Sequence, residues 1–229
     1  MEYHPYLGPE IPQYLLTSMA YASLAFVVAI WLLVTLSTKN VATSLKVGAG
    51  LVIWYGLVYF LGKMDFFGAT VFGIPMIAAG FVTVAILLKI LYKNAFLQSI
   101  FDKIPLHLVM ALQIFRVMGY GFIIFYSLGL IPGVFALPTG WGDVLVGFSA
   151  PLVAFLWATK RAKSLAVFWN YLGIADLALA LTLGIGTYPR PLQTVPATPT
   201  NELIALYPLV LVPLFAVPLS ILLHLYTLR

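Results

Sequence analysis

The feature that most limits what this chain can become is a succession of seven long apolar runs, at residues 14–37, 43–61, 70–91, 105–130, 142–159, 164–186 and 203–228. Each holds about 18 to 26 residues, enough for a helix rising 1.5 Å per residue to cross a hydrocarbon core of ~30 Å. Within lipid the backbone donors and acceptors must be satisfied inside the segment or around a closed barrel. Barrels show short alternating strands, and none is visible here. The sequence therefore predicts an all-α, polytopic membrane helix bundle of about seven transmembrane helices, forming one domain over residues 1–229.

Composition supports this expectation: 62% of the residues are hydrophobic and 8% are charged, against the roughly 25% charged of soluble domains. The formal charge of +5 does not indicate nucleic acid, because the basic residues stand singly or in small groups at the ends of apolar runs. Lys39, Lys46, Lys89, Lys93, Lys103, Lys160, Arg161, Lys163 and Arg229 fall on one side of a seven-span alternation. Lys63 and Arg190 fall on the other, with Glu2, Glu10, Asp65, Asp143 and Glu202. The positive-inside rule then puts the N-terminus outside and the C-terminus in the cytoplasm. Without a basic residue ahead of the first run, that run reads as a retained helix rather than a secretory signal. The absence of cysteine excludes disulfides, thiolate metal sites and cysteine nucleophiles.

Connections are expected to be short, with three exceptions. Residues 96–103 carry Phe96, Leu97, Ile100 and Phe101 at helical spacing and predict a short amphipathic helix at the cytoplasmic interface. Residues 129–143, GLIPGVFALPTGWGD, are nearly uncharged and predict a connection that hugs or re-enters the membrane. Residues 187–202 hold four prolines and predict an extended segment over the outside mouth of the bundle.

Ionisable side chains inside a membrane are expensive, so Arg116 and Asp176 draw attention first. Counting along the fourth and sixth runs puts both some 17 Å from the cytoplasmic end, at one depth. At 100° per residue Gln113, Arg116, Tyr120 and Ser127 share one face. Trp169, Gly173 and Asp176 share another, with Asn170 at its margin. The two faces predict a meeting across the bundle interior, as a buried ion pair that fixes helix order or as a polar site for a ligand, proton or ion. Asp143 has two readings, a carboxylate favouring the first turn of the fifth helix or a second partner for Arg116. His107 and His224 are weak metal or haem candidates, read as unligated interfacial residues. Pro208, Pro213 and Pro218 predict a kinked or locally opened last helix, with gating as its functional counterpart. Trp31, Trp54, Tyr55, Tyr59, Trp141, Trp157 and Tyr188 read as interfacial anchors.

The stretch 113–151, with its QIFR and PTGWGD segments, resembles small uncharacterised bacterial multi-pass inner-membrane proteins, which implies a bacterial cell membrane and no particular substrate. A rhodopsin is rejected, since the last run has no lysine for a Schiff base. No nucleotide-binding, metallohydrolase or serine-hydrolase motif is present, so an enzyme is not the expected class. An activity built from Asp176, Asn170 and His224 stays open.

The leading expectation is a small transport or ligand-binding protein taking a small polar or anionic ligand at Gln113, Arg116, Asn170 and Asp176. The second is an accessory subunit of a membrane complex, with Ser44, Gly48, Gly73 and Gly80 letting partner helices approach. The third is a haem-binding electron carrier.

Overall fold

The computed structural model describes residues 11–68, 74–189 and 191–229. Glu2, His4, Glu10, Gly73 and Arg190 lie outside the described residues. Helix makes up 80% of the structure and no strand occurs among the described residues.

Helix α1 (Gln13–Thr38) and α2 (Val41–Lys63) form an antiparallel pair. Asn40 starts α2, its side chain accepting from Thr43 N at 2.9 Å. Helix α3 (Ile74–Lys93) is followed by α4 (Ala95–Phe101), bent 80° away from it, where the sequence predicts a short amphipathic helix. Seven residues cannot hold a helix on propensity alone. Asn94 compensates by accepting from Leu97 N at 3.0 Å. Asn94→Ala is therefore expected to cost about 1 kcal/mol locally and to speed amide exchange over 95–101, leaving α3 protected.

Helices α5 (Leu106–Leu112) and α6 (Tyr120–Ser127) are joined by a 3₁₀ segment, Gln113–Gly119, into one 22-residue span. Helix α7 runs from Gly133 to Ala158 and α8 from Lys163 to Gly186. Residues 133–143 thus belong to α7, which corrects the expected re-entrant connection there. Glycine and proline argue locally against helix, but close packing of α7 on the 3₁₀ segment outweighs propensity. Asp143 consequently sits in the interior of α7, not in a first turn facing the helix dipole.

The last apolar run is not one helix. A 3₁₀ turn at Glu202–Ala205 and further turns to Val210 lead into a π-helical turn, Val212–Ala216, and then α9, Val217–Leu228. Pro208 stands in the turns, Pro213 in the π turn and Pro218 in the first turn of α9. Broken backbone at membrane depth is tolerated only where protein surrounds it, and this segment is the core of the bundle. Leu209, Val210, Leu211 and Phe215 have no exposed surface. Trp54 and Tyr55 of α2 pack on the Phe215 ring, with centroids 4.5 and 5.5 Å away. They are packing residues at mid-helix, not anchors near a span end.

Five helices are long and apolar enough to cross a bilayer, and a sixth crossing results if α3 and α4 count as one bent span. The helical part of the seventh run, Val212–Leu228, is shorter. The outside of the bundle is apolar, with Phe148 81% and Ile53 71% exposed. In water such a surface would aggregate; in lipid it is a solvated face. The helix lengths and this apolar exterior suggest a membrane protein.

Of the small residues proposed for partner helices, the three that are described are used inside the chain. Ser44 is buried and hydrogen-bonded to Thr35, a Cβ on Gly48 would lie 2.8 Å from the Trp31 ring, and Gly80 faces Pro213 and Leu214.

Candidate functional site

The centre of the bundle is organised by a change of helical pitch. In the 3₁₀ segment each residue turns about 120° instead of 100°, so residues three apart fall in line. Gln113, Arg116 and Gly119 are buried on one side, and Phe122 and Phe125 continue that row into α6. The accumulated phase change, about 140° over seven residues, removes Tyr120 and Ser127 from the face where an α-helix would have placed them. Tyr120 is 50% exposed and meets Trp141 edge-on at 6.4 Å. It is corrected from a site residue to an outer-surface one.

Arg116, 2% exposed, joins four elements. Its Nε donates to Asp143 Oδ1 of α7 at 2.7 Å, and its Nη2 donates to Asp176 Oδ2 of α8. Nη1 donates to Gly173 O and contacts His224 Nε2 of α9, both at 3.2 Å. The sequence leaves open whether Arg116 pairs with Asp176 or Asp143; it pairs with both. Nε, both hydrogens of Nη1 and one of Nη2 are engaged, leaving one of an arginine's five donors. This trio carries either one net negative charge or one additional proton, because two carboxylates face one guanidinium.

Close helix approach makes this geometry attainable. A Cβ on Gly147 would lie 2.5 Å from Val117 N and 3.0 Å from Arg116 C, so α7 lies directly on the backbone that carries the arginine. A Cβ on Gly173 would overlap the His224 ring and come within 3.2 Å of Arg116 Nη1. Both are positions where any side chain displaces the centre.

Behind Arg116 lies a neutral polar chain. Asn170 Nδ2 donates to Ala166 O at 2.8 Å, which turns Oδ1 toward α9. Oδ1 accepts from Thr227 Oγ1 at 2.5 Å and from His224 Nδ1 at 2.9 Å. An arginine nitrogen can only donate, so His224 Nε2 accepts and the ring is the neutral tautomer protonated at Nδ1. Trp169 covers this ring at 5.2 Å and is itself fixed by Nε1 donating to Ser149 Oγ at 2.9 Å. Gln113 makes a separate reciprocal pair: its Nε2 donates to Ser220 O at 3.2 Å, and Ser220 Oγ donates to its Oε1 at 2.6 Å.

His224, read from the sequence as interfacial, is thus 1% exposed and part of the centre. Ser220 and Thr227 were missed altogether. Ser220, His224 and Thr227 are spaced four and three apart, one face of a helix, and that stripe was the available signal. His107 on α5 is half-buried and outside this chain of contacts. Both ring nitrogens of His224 are engaged, so neither is presented to a haem iron. Among the described residues no group of three or more His, Asp or Glu is arranged to hold a metal.

Two cavities adjoin the centre. One of about 50 Å³ is lined by Arg116, Asp143, Ser23 and Ser220, with room for one or two waters at ~30 Å³ each. The other, about 260 Å³, lies between α3, α8 and the last segment, and its wall is apolar except at Thr139, Asp143 and the hydroxyl-bearing Tyr188. Asp143, Phe122 and Leu177 border both.

The proline-rich connection folds back on the end of α8, with Thr194 N and Val195 N donating to Gly186 O at 2.9 Å. Tyr188 there lines the larger chamber near the end of α8. Burial, reinforced by Glu202 and Asp65, raises its hydroxyl pKa above the ordinary tyrosine value and keeps it uncharged.

No curated protein and no solved structure matches the chain. A family model described as a domain of unknown function (DUF8737) matches residues 71–229, the stretch that holds every side chain bonded to Arg116, and the chain belongs to that family.

Proposed function

We propose that the chain is a small transport or ligand-binding protein of the cell membrane, whose polar centre around Arg116 holds an exchangeable proton. Seven segments cross the bilayer in this reading, the N-terminus outside and the C-terminus cytoplasmic; the distribution of basic residues supports that orientation. Arg116, Asp143 and Asp176 lie near the middle of their helices, which favours a site near the bilayer midplane.

The observation that carries the reading is the sharing of one buried guanidinium between two carboxylates beside a cavity. A structural lock needs one carboxylate; the second leaves a charge that a proton or a cation must balance. An anionic ligand for Arg116 loses support, because most of its donors are engaged by the protein itself.

The test uses the purified protein in phosphatidylcholine vesicles containing a pH-sensitive dye. The wild type is expected to dissipate an imposed pH gradient. Asp176→Asn, which leaves a balanced Arg116–Asp143 pair and should fold, is expected to slow that at least tenfold. Equal rates for the two proteins, or for wild type and empty vesicles, would remove the proposal. The alternative of an accessory subunit has less support, since Ser44, Gly48 and Gly80 are occupied inside the chain.

A further inference from the structure

We propose that the larger chamber binds a small lipophilic amine in its ammonium form. This names a substrate class for the site proposed above and rests on that reading only through Asp143, which faces both the chamber and Arg116.

Size comes first. A buried apolar cavity of ~150 Å³ accepts benzene. In proportion, 260 Å³ accepts a molecule of about ten non-hydrogen atoms. The wall, with Met76, Ile77, Phe122, Leu181 and Ile221 among its residues, suits an aryl or alkyl body. One side opens on the apolar outside of the bundle. Helices α3 and α8 both border the last segment and hardly touch each other, and Phe81 at the rim is 61% exposed. A molecule dissolved in the bilayer can enter there without crossing water.

The head group is set by two oxygens one helical turn apart on α7. Thr17, Thr35, Thr83 and Thr182 each donate to the carbonyl four residues before them, as buried or lipid-facing helical threonines do. Thr139 does not; it is 2% exposed and its hydroxyl has no partner among the described residues. An unsatisfied buried hydroxyl at the edge of a cavity awaits a group that bonds to it. Asp143, four residues on, turns one oxygen to Arg116 Nε, and no protein donor among the described residues reaches the other. Both positions accept a donated hydrogen bond. Charge decides between a neutral and a cationic donor, since a positive head brings the sum over Arg116, Asp143 and Asp176 to zero. An anion would face Asp143.

Binding is measured by titration calorimetry on the full chain in detergent, with three probes that share one body: 4-phenylbutylammonium, 4-phenylbutanol and 4-phenylbutanoate. The ammonium is expected to bind at least tenfold more tightly than the alcohol, and the carboxylate not to bind. Ala180→Trp, filling the chamber, should abolish binding of both the ammonium and the alcohol. Thr139→Val deletes a hydroxyl that holds nothing in the protein and should weaken the ammonium about three- to tenfold. Asp143→Asn should reduce the ammonium to the affinity of the alcohol; if that variant fails to fold, the Thr139 and Ala180 variants decide. Equal affinity for the three probes, or binding that survives Ala180→Trp, overturns the proposal. Ammonium binding without proton movement in vesicles overturns the transport reading and leaves the chamber standing, and the reverse result does the opposite.

Discussion

Arg116→Met is expected to destabilise the folded bundle by about 3–5 kcal/mol, because it strands two buried carboxylates that now share one guanidinium. For a chain of this size that corresponds to a melting temperature lower by roughly 6–20 °C in a mild detergent. The same substitution combined with Asp143→Leu and Asp176→Leu should recover stability to within about 1 kcal/mol, since apolar groups of similar volume replace a buried ionic cluster with little loss. The pair of results separates two contributions. A triple variant that is stable and moves no protons shows that the charges are retained for what they do, not for holding α7 and α8 in place. If Arg116→Met alone melts within a degree or two of the wild type, the carboxylates are not held by Arg116, and both functional proposals lose their foundation.

Much of this centre was legible in the sequence. The seven apolar runs fix an all-helical chain and place α1, α2 and α8 close to their observed bounds. Equal depth along two helices brings Arg116 to Asp176, and Asn170 stands beside them as its position on α8 requires. What could not be read follows from two departures from a regular α-helix. The pitch change over Gln113–Gly119 depends on how α7 packs against that stretch, and it rotates Tyr120 outward. The broken lead-in to α9 invalidates a depth count that assumes 1.5 Å per residue from residue 203, which is why His224 read as interfacial. The start of α7 was missed for a related reason. In PTGWGD the proline and glycines locally favour a turn, and only the neighbouring helices, absent from a one-dimensional reading, make glycine favourable there: Gly140 lies against Gly119 O and Ile123, and Gly142 against Asp176.

That last point leads to the second large effect. Gly147→Ala is expected to cost about 3 kcal/mol or more, at the upper end of what overpacking a well-filled interior costs, although alanine is intrinsically the better helix former by about 1 kcal/mol. The new methyl group meets backbone at Val117 N and Arg116 C, and backbone cannot rotate aside as the tip of a side chain can. Relief requires α7 to move away from the 3₁₀ segment, which stretches the 2.7 Å bond between Arg116 and Asp143. Gly50→Ala and Gly56→Ala in α2 supply the comparison, since a Cβ at either meets nothing within 4 Å. Each should leave stability unchanged or raise it by up to about 1 kcal/mol. Melting temperatures of the three variants in one detergent decide the matter. A neutral Gly147→Ala would mean that α7 and the arginine segment lie farther apart than described, and with that separation Arg116 could not hold both carboxylates at once.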